Sequence, residues 1–189
     1  EDPNTIDFLQ LLKEHEKDPT KKPIFDRHYS DILLIFDLDP HDSEFSPARI
    51  KEMADFFVES SDMGKLYLNY PMVEAFYHMR SIPDEAYESY TASMQELREK
   101  NYKARVQQEN RDHDYRKFAI GRNECSIVIR QNITKACHLV GWEPAAEDGI
   151  PEGAAILDAE LALLGEAELV SVLCTCAFYV WDYNPGLLS

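Results

Sequence analysis

Two aspartates, Asp37 and Asp39, are the residues of this sequence whose type and spacing best suit chemistry. They directly follow the apolar run at residues 31–36, and side chains two positions apart on an extended chain point to the same side. Two neighbouring carboxylates repel each other unless a cation lies between them. Mg²⁺ accepts such oxygen ligands and often keeps water or phosphate oxygens at its other positions. The pair therefore predicts a divalent-metal site for phosphodiester or phosphomonoester chemistry, and the alternative is two acidic residues that merely end a strand.

The segments around this pair predict a parallel sheet. The run at residues 31–36 (DILLIF) is apolar over most of its length, which is typical of a strand buried on both faces. A helix follows, with Ser46 as its cap and Pro47 at its first position, and Gly64 ends that segment. A second strand is predicted at residues 65–70 (KLYLNY). This order of strand, helix and strand favours a right-handed α/β unit, which places the two carboxylates at the carboxyl edge of the sheet.

Glu74 is the third acidic candidate. Pro71 begins a predicted short helix that directly follows the second strand, and Glu74 lies in its first turn. In a parallel sheet its carboxylate can reach the same edge as Asp37. The helix dipole alone also favours an acidic residue in a first turn, so a purely structural role stays open. His41 and His78 are weaker candidates for a metal ligand or a proton relay.

The charge of the chain limits what it can bind. With 19 Lys and Arg residues against 35 Asp and Glu residues, the net charge is −16, so bulk charge favours neither nucleic acid nor an anionic membrane. No apolar run is long enough for a membrane helix and no signal peptide is recognisable, so a cytoplasmic protein is expected. Residues 98–135 are an exception, with 10 basic and 5 acidic side chains. These basic side chains are either candidates for nucleic-acid contacts or one solvated face of a helix. The candidates are Arg98, Lys100, Lys103, Arg105, Arg111, Arg116, Lys117 and Arg122.

The rest of the chain is predicted to be helical. The sequence therefore divides into an α/β unit at residues 1–83 and a helical extension at residues 84–189, which can pack on the same core. Apolar spacing and Gly/Pro punctuation predict four helices in this extension, at residues 84–109, 123–141, 154–165 and 167–182.

The four cysteines favour a reducing compartment over a disulfide scaffold. Cys174 and Cys176 are separated by one residue, whereas zinc pairs usually have two residues between them. Both lie in the apolar run at residues 169–181, so buried core cysteines are expected there.

The segment at residues 32–79, which contains IFDLDPHD and later GKLYLNYPMVEAFYHM, resembles the TOPRIM-like nucleases of the RloB and OLD type. In such proteins an aspartate pair after a hydrophobic strand holds the metal, and a later Asn-Pro or Tyr-Pro is followed shortly by a glutamate that begins a helix. Asp37 and Asp39 match the first element, and Tyr70-Pro71 with Glu74 matches the second. The resemblance implies that Asp37 and Asp39 bind Mg²⁺ or Mn²⁺ and that Glu74 is their acidic catalytic partner.

The same resemblance implies a three-layer TOPRIM-like core at residues 1–83. It also implies a nuclease that cleaves nucleic acid as the effector subunit of a bacterial anti-phage system, together with an ATPase partner. TOPRIM folds use a further glutamate on an earlier strand, usually in a Glu-Gly context, and no Glu-Gly precedes Asp37. The resemblance therefore implies either a first strand outside this sequence or a member that does not cleave.

Two other functions stay open. The sequence FDLD at residues 36–39 resembles the haloacid-dehalogenase-like phosphatases, in which Asp37 would be the nucleophile and Asp39 the general acid. That family typically continues with a small pair of residues, whereas Pro40 and His41 follow here. The strong acidity also suits a non-catalytic docking or regulatory subunit.

Overall fold

A mixed sheet organises the computed structural model, which describes residues 8–61, 63–142 and 149–188. Its strands and those of a smaller sheet are β1 (Leu33–Asp37), β2 (Val58–Glu59), β3 (Gly64–Tyr70), β4 (Thr91–Ser93), β5 (Leu169–Ser171) and β6 (Leu173–Cys174). The helices are α1 (Phe8–His15), α2 (Pro47–Phe56), α3 (Met94–Arg98), α4 (Tyr102–Glu109), α5 (Arg122–Leu139), α6 (Gly153–Ala167) and α7 (Tyr179–Tyr183). Short 3₁₀ helices occur between several of these elements. The predicted α/β class is confirmed.

The predicted parallel pair is present, with β3 in the middle of the main sheet and β1 at its edge. β1 and β3 are parallel neighbours, and their register places Asp37 beside Asn69. β2 and β6 both pair antiparallel with β3, so the sheet is mixed and not parallel throughout. Among the described strands, β3 is the one that pairs with β1. The carboxyl end of β1 therefore lies at an edge of the sheet, where the chain continues directly into the aspartate pair.

The connection between β1 and β3 follows the predicted local signals. Ser46 is extended and its Oγ accepts a hydrogen bond from the Arg49 amide at 3.4 Å, while Pro47 begins α2. Gly64 begins β3 with a φ of +111°, a conformation that a side chain rarely adopts. A Cβ atom there would also lie 3.2 Å from Ile32 Cγ2, so both backbone and space favour glycine.

Two of the predicted helices are wrong. Residues 84–109 contain β4, α3 and α4, because Ser93 caps a new helix and Lys100 adopts a left-handed φ of +60° that separates α3 from α4. Residues 167–182 contain β5 and β6 before α7 begins, because Glu168 ends α6 with a left-handed φ of +54°. The apolar spacing in both segments indicated burial correctly, but burial alone does not distinguish a helix from a short strand.

The other two predicted helices are confirmed as α5 and α6, with ends shifted by one or two residues. The C-terminal part of the chain, which contains these two helices, belongs to the same core as β3. Its strand β6 pairs with Asn69 and Tyr70 of β3. Asn132 in α5 strengthens this junction: its Oδ1 accepts hydrogen bonds from the Tyr87 hydroxyl at 2.7 Å and the Cys174 amide at 2.9 Å. Within the described residues, none of the helices combines the length and apolar character that crossing a bilayer requires.

Candidate active site

The site is built where β1 ends beside β3. Asp37 Oδ1 accepts a hydrogen bond from Asn69 Nδ2 at 3.0 Å. The chain stays close to β3 for two more residues, since the Leu38 amide donates to the Asn69 carbonyl at 3.0 Å and the Asp39 amide to the Pro71 carbonyl at 3.1 Å. Asp39 then takes a left-handed φ of +44°. Its backbone position is thus fixed by the sheet, although its conformation is unfavourable for a residue with a side chain.

A cavity of about 270 Å³, here called the carboxylate cavity, contains both aspartates. Its wall combines two acidic side chains from the end of β1 with two lysines from the start of α4 and the turn before it. The lining residues are Asp37, Asp39, His41, Met72, Leu97, Lys100, Tyr102 and Lys103. Lys100 and Asp39 both face the cavity from a left-handed backbone.

A second cavity, of about 280 Å³, lies along β3 between the segments that pair with β2 and β6. Leu66, Leu68 and Tyr70 line its floor, and Ala54 and Phe57 line it from the α2 side. Glu59, Lys65 and Glu152 also line this second cavity, whereas Asp37, Asp39 and two of the predicted basic residues line the carboxylate cavity.

The electrostatics of the aspartate pair follow from its partial burial. Burial raises the pKa of Asp39, and the nearby Asp37 carboxylate raises it further, while His41 acts in the opposite direction. His41 Nδ1 lies 3.7 Å from Asp39 Oδ1, which is beyond hydrogen-bond distance. That nitrogen is buried and makes no hydrogen bond in the structure, so a polar atom of the wall is left without a partner.

Glu74 lies behind the cavity wall. It is in the 3₁₀ helix Val73–Tyr77, and its Oε1 is 3.2 Å from Lys103 Nζ. Its Oε2 is buried and has no hydrogen-bond partner. Glu74 is not among the residues that line the carboxylate cavity, but Lys103, which it contacts, is.

The donor set fits magnesium better than a soft metal. Among the described residues, no group of three or more His, Cys, Asp and Glu side chains lies close enough to hold a metal ion. Zinc sites take three or four such ligands, whereas Mg²⁺ is commonly bound by one or two carboxylates with water and substrate phosphate. Asp37 and Asp39 line one cavity and would suit the second arrangement.

Two of the predicted basic residues line the carboxylate cavity, and the arginines make ion pairs or hydrogen bonds. Lys100 and Lys103 line the carboxylate cavity, while Lys117 ends the 3₁₀ helix Tyr115–Lys117. The arginines contact other parts of the protein: Arg98 with Glu168 at 3.9 Å, Arg105 with Glu96 at 3.0 Å, Arg111 with Glu124 at 2.6 Å, Arg116 with Asp114 at 3.0 Å, and Arg122 with the Leu187 carbonyl at 3.2 Å. Of the predicted basic residues, Lys100 and Lys103 are therefore the two that line the carboxylate cavity.

His78 is a core residue that does not line the cavity. Its side chain is fully buried, with Nδ1 3.2 Å from the Tyr102 hydroxyl and Nε2 3.0 Å from Glu109 Oε2. Burial lowers the pKa of His78 to about 4. Because Tyr102 itself lines the cavity, His78 supports the site from behind.

Sequence reasoning missed Asn69, whose side chain orients Asp37. The usable signal was the pairing of the two predicted strands, because the parallel register brings Asn69 beside Asp37.

Comparison with known proteins does not assign this chain to a family. No family model matches the chain, and neither the search of curated proteins nor the search of solved structures returns a match. The assignment of a function therefore rests on the chemistry of the site.

Proposed function

We propose that this protein hydrolyses phosphodiester bonds in nucleic acid with the aid of Mg²⁺ or Mn²⁺ bound in the carboxylate cavity. The observation that carries the proposal is that two carboxylates and two lysines line one cavity at the end of a β-strand. Carboxylates attract a divalent cation, and lysines attract the phosphate oxygens that share that cation. Ligands in α/β proteins commonly bind at this end of the strands.

Each side chain has a separate task in this proposal. Asp37 and Asp39 hold the ion, and Asn69 keeps Asp37 in position through its amide hydrogen bond. When bound, the ion polarises the phosphate and lowers the pKa of a coordinated water. Lys100 and Lys103 bind the non-bridging oxygens of the phosphate, and Glu74 holds Lys103 at 3.2 Å.

The choice of nucleic acid as substrate is supported by the resemblance of residues 32–79 to TOPRIM-like nucleases. The same resemblance supports a role as the effector subunit of a bacterial anti-phage system that works with an ATPase partner. With a net charge of −16, the protein gains little from long-range attraction to a polyanion. Local contacts at the cavity must therefore supply most of the affinity for the strand.

A second candidate is a non-catalytic docking or regulatory subunit. It is favoured by the absence, among the described residues, of a third metal-binding side chain beside Asp37 and Asp39. The net charge of −16 also suits such a subunit. If the protein has this second function, we expect it to form a stable complex with a larger protein and to cleave no nucleic acid with any divalent metal.

Nuclease assays on variants of the pair test the proposal. Asp37→Asn and Asp39→Asn keep side-chain size, and asparagine tolerates the left-handed backbone at position 39. We expect each to lower Mg²⁺-dependent cleavage by about a hundredfold or more, since each removes a charged ligand of the ion. Asp55→Asn, an exposed change in α2, is the matched control and should cleave like the parent.

Two outcomes would contradict the proposal. Unchanged cleavage in both cavity variants would remove the pair from the reaction. Turnover of a small phosphomonoester with a phosphoryl group trapped on Asp37 would assign the cavity to a phosphatase that uses this aspartate as its nucleophile.

A further inference from the structure

Cys174 and Cys176 bring two thiols together beside the carboxylate cavity. Both cysteines are free, and their Sγ atoms are 2.9 Å apart. Cys174 ends β6, and Cys176 begins the 3₁₀ helix Cys176–Phe178. The two sulfur atoms are therefore in direct contact across a single intervening residue.

Thr175 fixes the turn that holds the two sulfurs together. Its amide donates to the Leu68 carbonyl at 3.1 Å. Its Oγ1 accepts a hydrogen bond from the Leu68 amide at 2.8 Å and donates to the Leu68 carbonyl at 2.9 Å. Three bonds to one residue of β3 keep this turn in place, so the contact between the thiols does not depend on a flexible loop.

The two thiols have different surroundings. Cys174 is fully buried and donates its proton to Asn69 Oδ1 at 3.0 Å. The orientation of that amide is set by Asp37, because Asn69 Nδ2 donates to Asp37 Oδ1. Cys174 is therefore kept as a thiol, while Cys176 is partly exposed and can be reached from solvent.

We propose that Cys174 and Cys176 are an oxidation-sensitive pair that hydrogen peroxide converts into a disulfide, with Cys176 reacting first. Cys176 Sγ attacks the peroxide O–O bond; an S–O bond forms, the O–O bond breaks, and one oxygen leaves as water. Cys174 Sγ then attacks Cys176 Sγ; the S–S bond forms, the S–O bond breaks, and a second water leaves with the proton of the Cys174 thiol. The two sulfurs together lose two electrons, and the peroxide is reduced to two water molecules.

Oxidation of this pair changes the carboxylate cavity. A disulfide removes the S–H group that Cys174 donates to Asn69. Asn69 is buried, so its carbonyl oxygen then lacks a donor and its amide is free to reorient away from Asp37. Oxidation at Cys176 therefore loosens Asp37, and this effect on the protein does not depend on any particular activity of the cavity.

Peroxide titration followed by mass spectrometry tests the inference. Cleavage after Glu168 releases a segment that contains Cys174 and Cys176 but neither Cys125 nor Cys137. We expect this segment to lose two hydrogen atoms in mass, to lose both reactive thiols, and to recover them on treatment with a dithiol reductant. Cys125 is partly exposed in the same protein and is the internal reference. We expect the pair to be oxidised at least tenfold faster than Cys125.

Single variants separate the two roles. In Cys174→Ser, we expect Cys176 to stop at the sulfenic acid, which dimedone traps; in Cys176→Ser, we expect Cys174 to stay unmodified. Cys125→Ser is the control and should form the disulfide as the parent does. Oxidation of Cys125 before the pair, or persistence of both thiols at peroxide levels that oxidise Cys125, would overturn the inference. Because the Cys176 side chain is only partly buried, its variant gives a result even if Cys174→Ser folds poorly.

Discussion

Asp37 and Asn69 are register partners in β1 and β3, and Asn69 Nδ2 donates a hydrogen bond to Asp37 Oδ1 at 3.0 Å. The other end of the Asn69 amide accepts from Cys174 Sγ at 3.0 Å. One buried amide thus links the acidic pair of the candidate site to the thiol pair of β6. It also sets the direction in which the Asp37 carboxylate faces the cavity.

The Asn69 amide should matter for both stability and cleavage. Asn69→Ala leaves the buried Cys174 S–H without its acceptor and removes the donor to Asp37. We expect a loss of about 1–3 kcal/mol in the free energy of unfolding, measured by urea denaturation, because a buried polar group is left unsatisfied. We also expect cleavage to fall while Asn123→Ala, on an exposed position of α5, behaves like the parent. Equal stability and activity of the two variants would count against a role for Asn69 in positioning Asp37.

The lysines of the cavity should act on substrate affinity. Lys100→Ala removes a cation from the cavity wall, and we expect KM for a nucleic-acid substrate to rise about tenfold because a charge-assisted contact to phosphate is lost. Lys117→Ala changes a lysine outside the cavity and is the matched control. If Lys117→Ala raises KM as much as Lys100→Ala, phosphate is held along the whole basic segment instead of in the cavity.

His78 should make the protein less stable in acid. Burial lowers the pKa of His78 from its ordinary value of 6.5 to about 4. A pKa that is lower in the folded protein gives a stabilising contribution above about pH 6.5 that is lost as the pH falls towards 4. We expect the parent to lose about 3 kcal/mol more than His78→Gln in the free energy of unfolding between pH 7 and pH 4. Parallel pH profiles for the two proteins, measured by urea denaturation, would show that His78 titrates normally.

Glu160 should make the protein less stable as the pH rises, whereas His78 should make it less stable as the pH falls. It is fully buried in α6, its Oε2 accepts from the Ser171 amide at 2.9 Å, and its Oε1 has no hydrogen-bond partner. Burial raises the pKa of Glu160 to about 8. The pKa of Glu160 is thus higher in the folded protein than in the unfolded chain. Its contribution to stability is complete below the pKa of the unfolded chain and is lost as the pH rises towards 8.

Glu160→Gln removes this titration. We expect the variant to gain about 2 kcal/mol in the free energy of unfolding relative to the parent when the pH is raised from 5 to 7. His78 is present in both proteins, so its contribution cancels in the difference. Glu166→Gln, at an exposed position of the same helix, is the control and should follow the parent. A pH-independent difference between parent and Glu160→Gln would show that Glu160 is ionised throughout.

The parts of the fold that sequence predicted are those with local signals. β1 and β3 are apolar runs with clear ends, and Ser46 with Pro47 marks the start of α2. β4 and β5 carry no such signal, because each has three residues and forms only through pairing with a segment far away in the chain. Such non-local pairing overrides the helical spacing of residues 84–109 and 167–182.

The candidate site also has a part that the sequence could predict and a part that depends on the folded chain. Asp37 and Asp39 were recognisable as an acidic pair after an apolar run, but β1 ends at Asp37 and Asp39 reaches the cavity from a left-handed turn, not from the extended chain that the prediction assumed. Asn69 depends on the register of β1 with β3, and Lys100 depends on a left-handed turn between two helices. Composition marked residues 98–122 as basic but could not show that Lys100 and Lys103 are the two that line the carboxylate cavity. The carboxylate cavity therefore required the folded chain before its two lysines could be selected.

Direct measurement of Mn²⁺ binding tests the central claim, that Asp37 and Asp39 together hold a divalent ion. Electron paramagnetic resonance counts free and bound Mn²⁺ without any need for turnover. We predict one ion per chain in the parent, tighter binding when a phosphate-containing oligonucleotide is added, and loss of at least tenfold in affinity in Asp37→Asn and in Asp39→Asn, with Asp55→Asn unchanged. Binding of the same strength in the parent and in both cavity variants would contradict the account.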